Sequence, residues 1–171
     1  MRHIIDPYVG LGPLRFGMTP DEVAQFDNVF GQVQRDRFQA ETGVRTELRT
    51  HYSPYCQYKN NRLWAIDTNL ISRPFSLVLD NIDIYAIEPR DALKALEIKN
   101  GGAQVNFAYV YFNKLGLVLR DFYEITKKTY SNKEKDRQVG IYSREAAAEF
   151  VKVDPKYENL PYIKFEAVSF R

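Results

Sequence analysis

The chain carries one cysteine, Cys56, and two histidines, His3 and His51. A lone cysteine excludes an internal disulfide framework, and these three residues are too few for a structural zinc site. No window approaches the roughly 18 apolar residues of a membrane span. The N-terminal run Met1-Arg2-His3-Ile4-Ile5-Asp6-Pro7 meets an acid and a proline before any apolar stretch, so a secretory h-region is not expected either. Neither charge sign dominates, with 24 Lys and Arg against 22 Asp and Glu. A nucleic-acid footprint would therefore have to come from local clustering. The one basic cluster, Lys127, Lys128, Lys133, Lys135 and Arg137, is interrupted by Glu134 and Asp136 and reads as a solvated loop. These absences point to a soluble cytoplasmic protein.

Catalytic signatures are missing as well. There is no GxSxG elbow, no GxxxxGK phosphate loop and no HExxH helix. A Cys56 nucleophile would need a base beside it, and five residues of extended chain put His51 on the opposite face. The carboxylate pairs Asp80 with Glu88 and Asp121 with Glu124 read as ordinary surface acids. No enzymatic activity, no cofactor and no metal are expected.

What is present is a strand-to-helix signature, Leu11-Gly12-Pro13-Leu14-Arg15-Phe16-Gly17-Met18-Thr19-Pro20-Asp21-Glu22-Val23. Thr19 stands at a helix N-cap, Pro20 at the first helical position where its missing N–H costs nothing, and Glu22 completes a capping box. Two further helices are expected after Glu88-Pro89, with Ala92, Leu93 and Leu96 inward, and after Ser143, with Ala146, Ala147 and Phe150 inward. In the first helix, Val23 and Phe26 face inward.

Aromatic residues are abundant, with 12 Tyr and 11 Phe. Short β-branched or aromatic runs at 44–52, 63–68, 75–79, 82–87, 103–112, 117–119, 138–142 and 162–170 are punctuated by Gly, Pro and Asn. Lys59-Asn60-Asn61 and Asn113-Lys114-Leu115-Gly116 read as hairpin connections. The expected fold is α+β, a mainly antiparallel twisted sheet with two or three short helices packed on one side. It forms one domain over 1–171, or two small halves meeting near 70–82.

Phe16-Gly17-Met18-Thr19 followed by Asp21-Glu22-Val23 resembles the opening motif of the β-lactamase inhibitor protein and of SmpA-type outer-membrane assembly lipoproteins. The likeness covers about fifteen residues. The longer run from Gly10 to Met18, with Leu115-Gly116-Leu117-Val118-Leu119, is similar to small bacterial proteins that include immunity proteins of toxin systems. The resemblance implies binding to another protein rather than turnover. The chain has no lipobox cysteine near its start and no second FGMT.

The expected function is that of a non-catalytic inhibitor neutralising a cognate toxin. Tyrosines suit interface anchoring, and a basic partner would meet the acidic segment carrying Asp80, Asp83, Tyr85, Glu88 and Asp91. The alternative is an RNA-binding module using the aromatic strand 105–112, where Phe107, Tyr109 and Tyr111 alternate as in RNA-recognition motifs. That strand lacks the motif's opening Arg or Lys and Gly. Both of its faces are apolar, as in a strand buried on both sides.

Overall fold

In the computed structural model, which describes residues 2–50, 54–69, 76–106, 109–124, 129–130, 136–153 and 162–163, the Thr19 turn forms as its residues dictate. Helix α1 (Pro20–Ala24) begins after Thr19, whose hydroxyl accepts from the Glu22 N–H while the Glu22 carboxylate accepts from the Thr19 N–H at 2.7 Å. That bond from the Thr19 N–H holds the Glu22 carboxyl below its ordinary range. Gly17 sits at φ 92° with open space where a Cβ would stand, so its role is conformational. The turn is fastened to a strand far along the chain: Gly17 N–H donates to the Leu63 carbonyl and Leu63 N–H to the Met18 carbonyl, each at 2.7 Å. The expected first helix is two short segments, α1 and α2 (Asp27–Phe30), which bury Val23 and Phe30; Phe26 is only partly buried.

The N-terminal strands β1 (Arg2–Asp6), β2 (Gly10–Leu11) and β3 (Leu14–Arg15) join β8 (Ser76–Leu79) and β9 (Ile82–Asp83) in a five-stranded sheet of order β3-β2-β1-β8-β9. Only β1 and β8 run parallel there. A second sheet contains β4 (Val33–Gln39), β5 (Val44–Arg49), β6 (Tyr55–Lys59), β7 (Arg62–Asn69), β10 (Ala103–Asn106), β11 (Tyr109–Phe112), β12 (Leu117–Arg120), β15 (Gln138–Tyr142) and β16 (Tyr162–Ile163). Its order is β16-β10-β11-β12-β15-β7-β6-β5-β4, antiparallel throughout. Strands β13 (Tyr123–Glu124) and β14 (Thr129–Tyr130) form a separate pair. The architecture is α+β and dominated by antiparallel sheet.

One face of the large sheet is mostly apolar. Cys56, Tyr58, Leu63, Ile66, Val110, Phe112, Leu117, Leu119, Val139 and Ile141 point into a single core shared with Ile5, Leu11, Leu14, Leu77 and Leu79 of the smaller sheet. Helix α3 (Pro89–Asn100) adds Ala92, Leu93 and Leu96, the inward set its sequence indicates. Each large aliphatic side chain buried this way contributes about 1.5–3 kcal/mol. Helix α3 stops at Gly101, which is left-handed and donates its N–H to the Glu97 carbonyl. The buried Asn100 side chain then accepts from Lys114 N–H at 2.8 Å, tying the helix end to the β11–β12 turn. Helix α4 (Arg144–Val153) begins after Ser143, whose hydroxyl accepts from the Ala146 N–H. Among the described residues no helix is long and apolar enough to cross a membrane.

Two strand expectations need correction. The run 103–112 is two strands, not one, because Val105 pairs with Val110 and Asn106 with Tyr109 across an antiparallel hairpin; Phe107 and Ala108 lie outside the described residues. The run 82–87 is a strand only to Asp83, since Ala86 and Ile87 N–H groups fold back onto the Asp83 carbonyl. Strand β4 was not expected from its sequence, Val-Gln-Arg-Asp-Arg-Phe-Gln, because both of its faces are exposed and no alternation marks it. Both expected hairpins form: Asn60 and Asn61 take φ 50° and 60° between β6 and β7, and 113–116 joins β11 to β12.

Candidate functional site

The acidic segment singled out in the sequence divides between surface and core. Asp80, at the β8–β9 turn, is exposed and pairs with Lys99 of α3. Glu88 and Asp91 are exposed at the start of α3, and Glu88 makes no side-chain capping bond. Asp83 is half-buried and accepts from the Ser76 hydroxyl. Tyr85 is no surface anchor. The strand ends two residues before it, so the turn carries both Ile84 and Tyr85 inward; the Tyr85 ring stacks on Phe122 and its hydroxyl donates to the Thr68 carbonyl at 3.1 Å. Burial pushes its phenol upward.

The candidate nucleophile and base are likewise structural. Cys56 is fully buried and desolvation pushes its thiol up to about 12, leaving it a small hydrophobe at neutral pH. His3 is buried against Phe30 with ring centroids 5.1 Å apart, and burial lowers its pKa. His51 lies outside the described residues. Asp121 is committed to Arg120 at 3.2 Å. Among the described residues no group of three or more His, Cys, Asp or Glu side chains could hold a metal ion.

The exposed face of the large sheet carries the chemistry that sequence reading missed. Strand pairing sets Asp67 of β7 between Tyr55 of β6 and Gly140 of β15, with Val118 of β12 one strand further on. Tyr142 and Gln138 flank Gly140 along β15, and Arg120 and Tyr109 close the far end. Together they line a groove of about 480 Å³. Gly140 forms its floor for a reason opposite to that of Gly17. A Cβ there would fall 2.8 Å from Asp67 Oδ1 and 2.9 Å from the Tyr142 hydroxyl, so the glycine makes room. Asp67 accepts from the Gln57 side-chain amide, but desolvation prevails and pushes its carboxyl up to about 6. The only signal of this site in the sequence is an acid and a glycine inside otherwise β-forming runs.

A second groove, of about 520 Å³, lies where Phe16 and Gly17 meet the start of α4. Some of its charges are paired: Lys59 pairs with Glu149 and lies over Trp64, and Arg62 reaches Glu22 at 3.9 Å. Arg144 sits over the Tyr8 ring at 4.5 Å.

The sheet edge formed by β4 is open. All seven of its residues are exposed, Phe38 at 69% and Val33 at 40%, while a two-pronged Arg45–Asp36 pair staples the strand to β5 at 3.0 and 3.1 Å. Compared with known proteins, the chain matches no family model, no curated protein and no solved structure.

Proposed function

We propose that the protein is a non-catalytic, cytoplasmic inhibitor of the immunity type, which neutralises a cognate toxin by binding it. The observation that carries this reading is β4, a seven-residue edge strand with exposed backbone and an exposed Phe38 at its far end. An edge of this kind is a template for strand addition by another chain, and soluble proteins ordinarily cover or blunt it. Arg35, Asp36 and Arg37 limit indiscriminate pairing, while Phe38 supplies an apolar anchor at low conformational cost. The likeness of the FGMT turn to inhibitor proteins supports the same reading. Against a basic toxin, the exposed Asp80, Glu88 and Asp91 would accelerate association.

Co-expression with the products of the adjoining reading frames tests it. The inhibitor should co-purify with one of them and rescue growth from it, and Phe38→Asp should abolish both effects without lowering the melting temperature. Failure of every neighbouring product to form a complex or to be neutralised rejects the proposal.

A further inference from the structure

The groove above Gly140 poses a question that the β4 edge does not answer. Asp67 lies near the middle of a nine-stranded sheet, half-buried and flanked by Tyr55 and Tyr142. Its hydrogen-bond partner is the neutral Gln57 amide, and among the described residues no Lys, Arg or His pairs with it. Arg120, the cation lining the same groove, is already engaged: its Nε is 3.2 Å from Asp121 and its guanidinium stands 5.5 Å from the centroid of the Tyr109 ring. A carboxylate serving only the fold would be expected to meet a cation from its own chain, because a partly buried charge without a counter-charge is costly. The floor points the same way. A glycine in the interior of a strand weakens it, yet Gly140 has no left-handed φ to justify it; what it provides is space beside the Asp67 carboxylate and the Tyr142 ring.

We propose that this groove binds an organic cation, a guanidinium or alkylammonium group, with its charge on Asp67 and its carbon stem against Tyr55 and Tyr142. Tyrosine faces attract such cations through the ring quadrupole, and exclusion of water strengthens both contacts. Arg120 restricts the choice, since a second positive charge extending across Val118 would approach its guanidinium. Singly charged ligands, or ones that trail a carboxylate toward Arg120, are therefore favoured over polyamines. The source is either a free metabolite or a Lys or Arg side chain of a protein. A partner seated on the β4 edge leaves the groove chemistry unchanged, so the two proposals stand separately.

Titration of the full chain with butylguanidine, with its neutral isostere butylurea and with a Gly-Arg-Gly peptide, followed by backbone amide shifts, tests the site. Butylguanidine should saturate, shifting amides of Asp67, Gly140 and Tyr142, and butylurea should not bind. Preference for free butylguanidine identifies a small-molecule ligand, and peptide binding at least as tight identifies a protein side chain. Asp67→Asn should weaken binding by at least about tenfold, and Tyr55→Leu by a few-fold. If Asp67→Asn fails to fold, the wild-type pH profile gives the same reading, because affinity must fall as pH drops through the Asp67 midpoint of about 6. The other ionisable groups lining the groove are the phenols Tyr55, Tyr109 and Tyr142 and the guanidinium of Arg120, types that ordinarily titrate far above that range. No binding of butylguanidine or peptide up to roughly 10 mM, equal binding of butylurea, or a flat pH profile overturns the proposal.

Discussion

Arg49 and Glu47 stand two residues apart on β5 and meet in the interior, with Nη2 3.3 Å from Oε2 and both side chains essentially inaccessible. The Tyr58 hydroxyl donates to the same Glu47 oxygen at 3.0 Å, Arg45 reaches the other at 2.8 Å, and Arg49 also contacts Asp27 and the Gly31 carbonyl. The cluster fastens α2 and the turn after it to the sheet. Removing one member strands the others: Glu47→Leu should cost about 3–5 kcal/mol in urea denaturation. The double change Glu47→Leu with Arg49→Met should recover part of that loss, a coupling that a cycle of the single and double variants measures.

The capping box contributes stability and no chemistry. Thr19→Ala removes the hydroxyl that accepts from Glu22 N–H and should lower stability by about 1 kcal/mol. Thermal melting measures this, and partner binding by the folded variant should be unchanged.

Asp67 makes stability depend on pH in a defined direction. Its folded carboxyl titrates at about 6 against an ordinary value of 3.8, so the native state holds the proton more tightly than the unfolded chain. That contribution is fully present below the ordinary value and is lost as pH rises through about 6. Asp67→Asn mimics the protonated form. It should match the wild type in acid and exceed it by on the order of 2–3 kcal/mol above the folded midpoint, read from urea midpoints across the range.

Cys56 should be inert in the native protein. With no exposed surface and a thiol pushed up to about 12, it should resist an aromatic disulfide reagent until urea unfolds the chain, then react stoichiometrically. Rapid native labelling would show that β6 opens locally.

The β6–β7 connection has room for improvement. Asn61 holds φ 60° as the second residue of a two-residue hairpin loop, where glycine is preferred. Asn61→Gly should raise stability by roughly 0.5 kcal/mol, measurable as a higher melting temperature.

Local devices were legible in the sequence because neighbouring residues enforce them. Thr19 with Glu22, Pro89 after Glu88 and Asn60-Asn61 each act within a few residues, and the structure contains all three. Tyr85 and the run 103–112 were misplaced for one shared reason. Their β-forming composition fits a strand equally well whether the chain continues or folds back, and only pairing with Leu77, Tyr109 and Val110 decides. Strand β4 was silent because hydrophobic alternation marks burial of one face, and β4 buries neither.

By itself, the sequence determined an α+β chain rich in strands, three helix starts and the inward face of α3, since caps, turns and apolar periodicity act over a few residues. Tertiary structure alone decided that β1 runs parallel to β8, that β4 is left at the edge, and that Tyr55, Asp67, Gly140, Tyr142 and Arg120, spread from residue 55 to residue 142 over four strands, share one groove. Strand order and register set which side chains become neighbours across a sheet. They follow from long-range pairing, which no short stretch of sequence encodes.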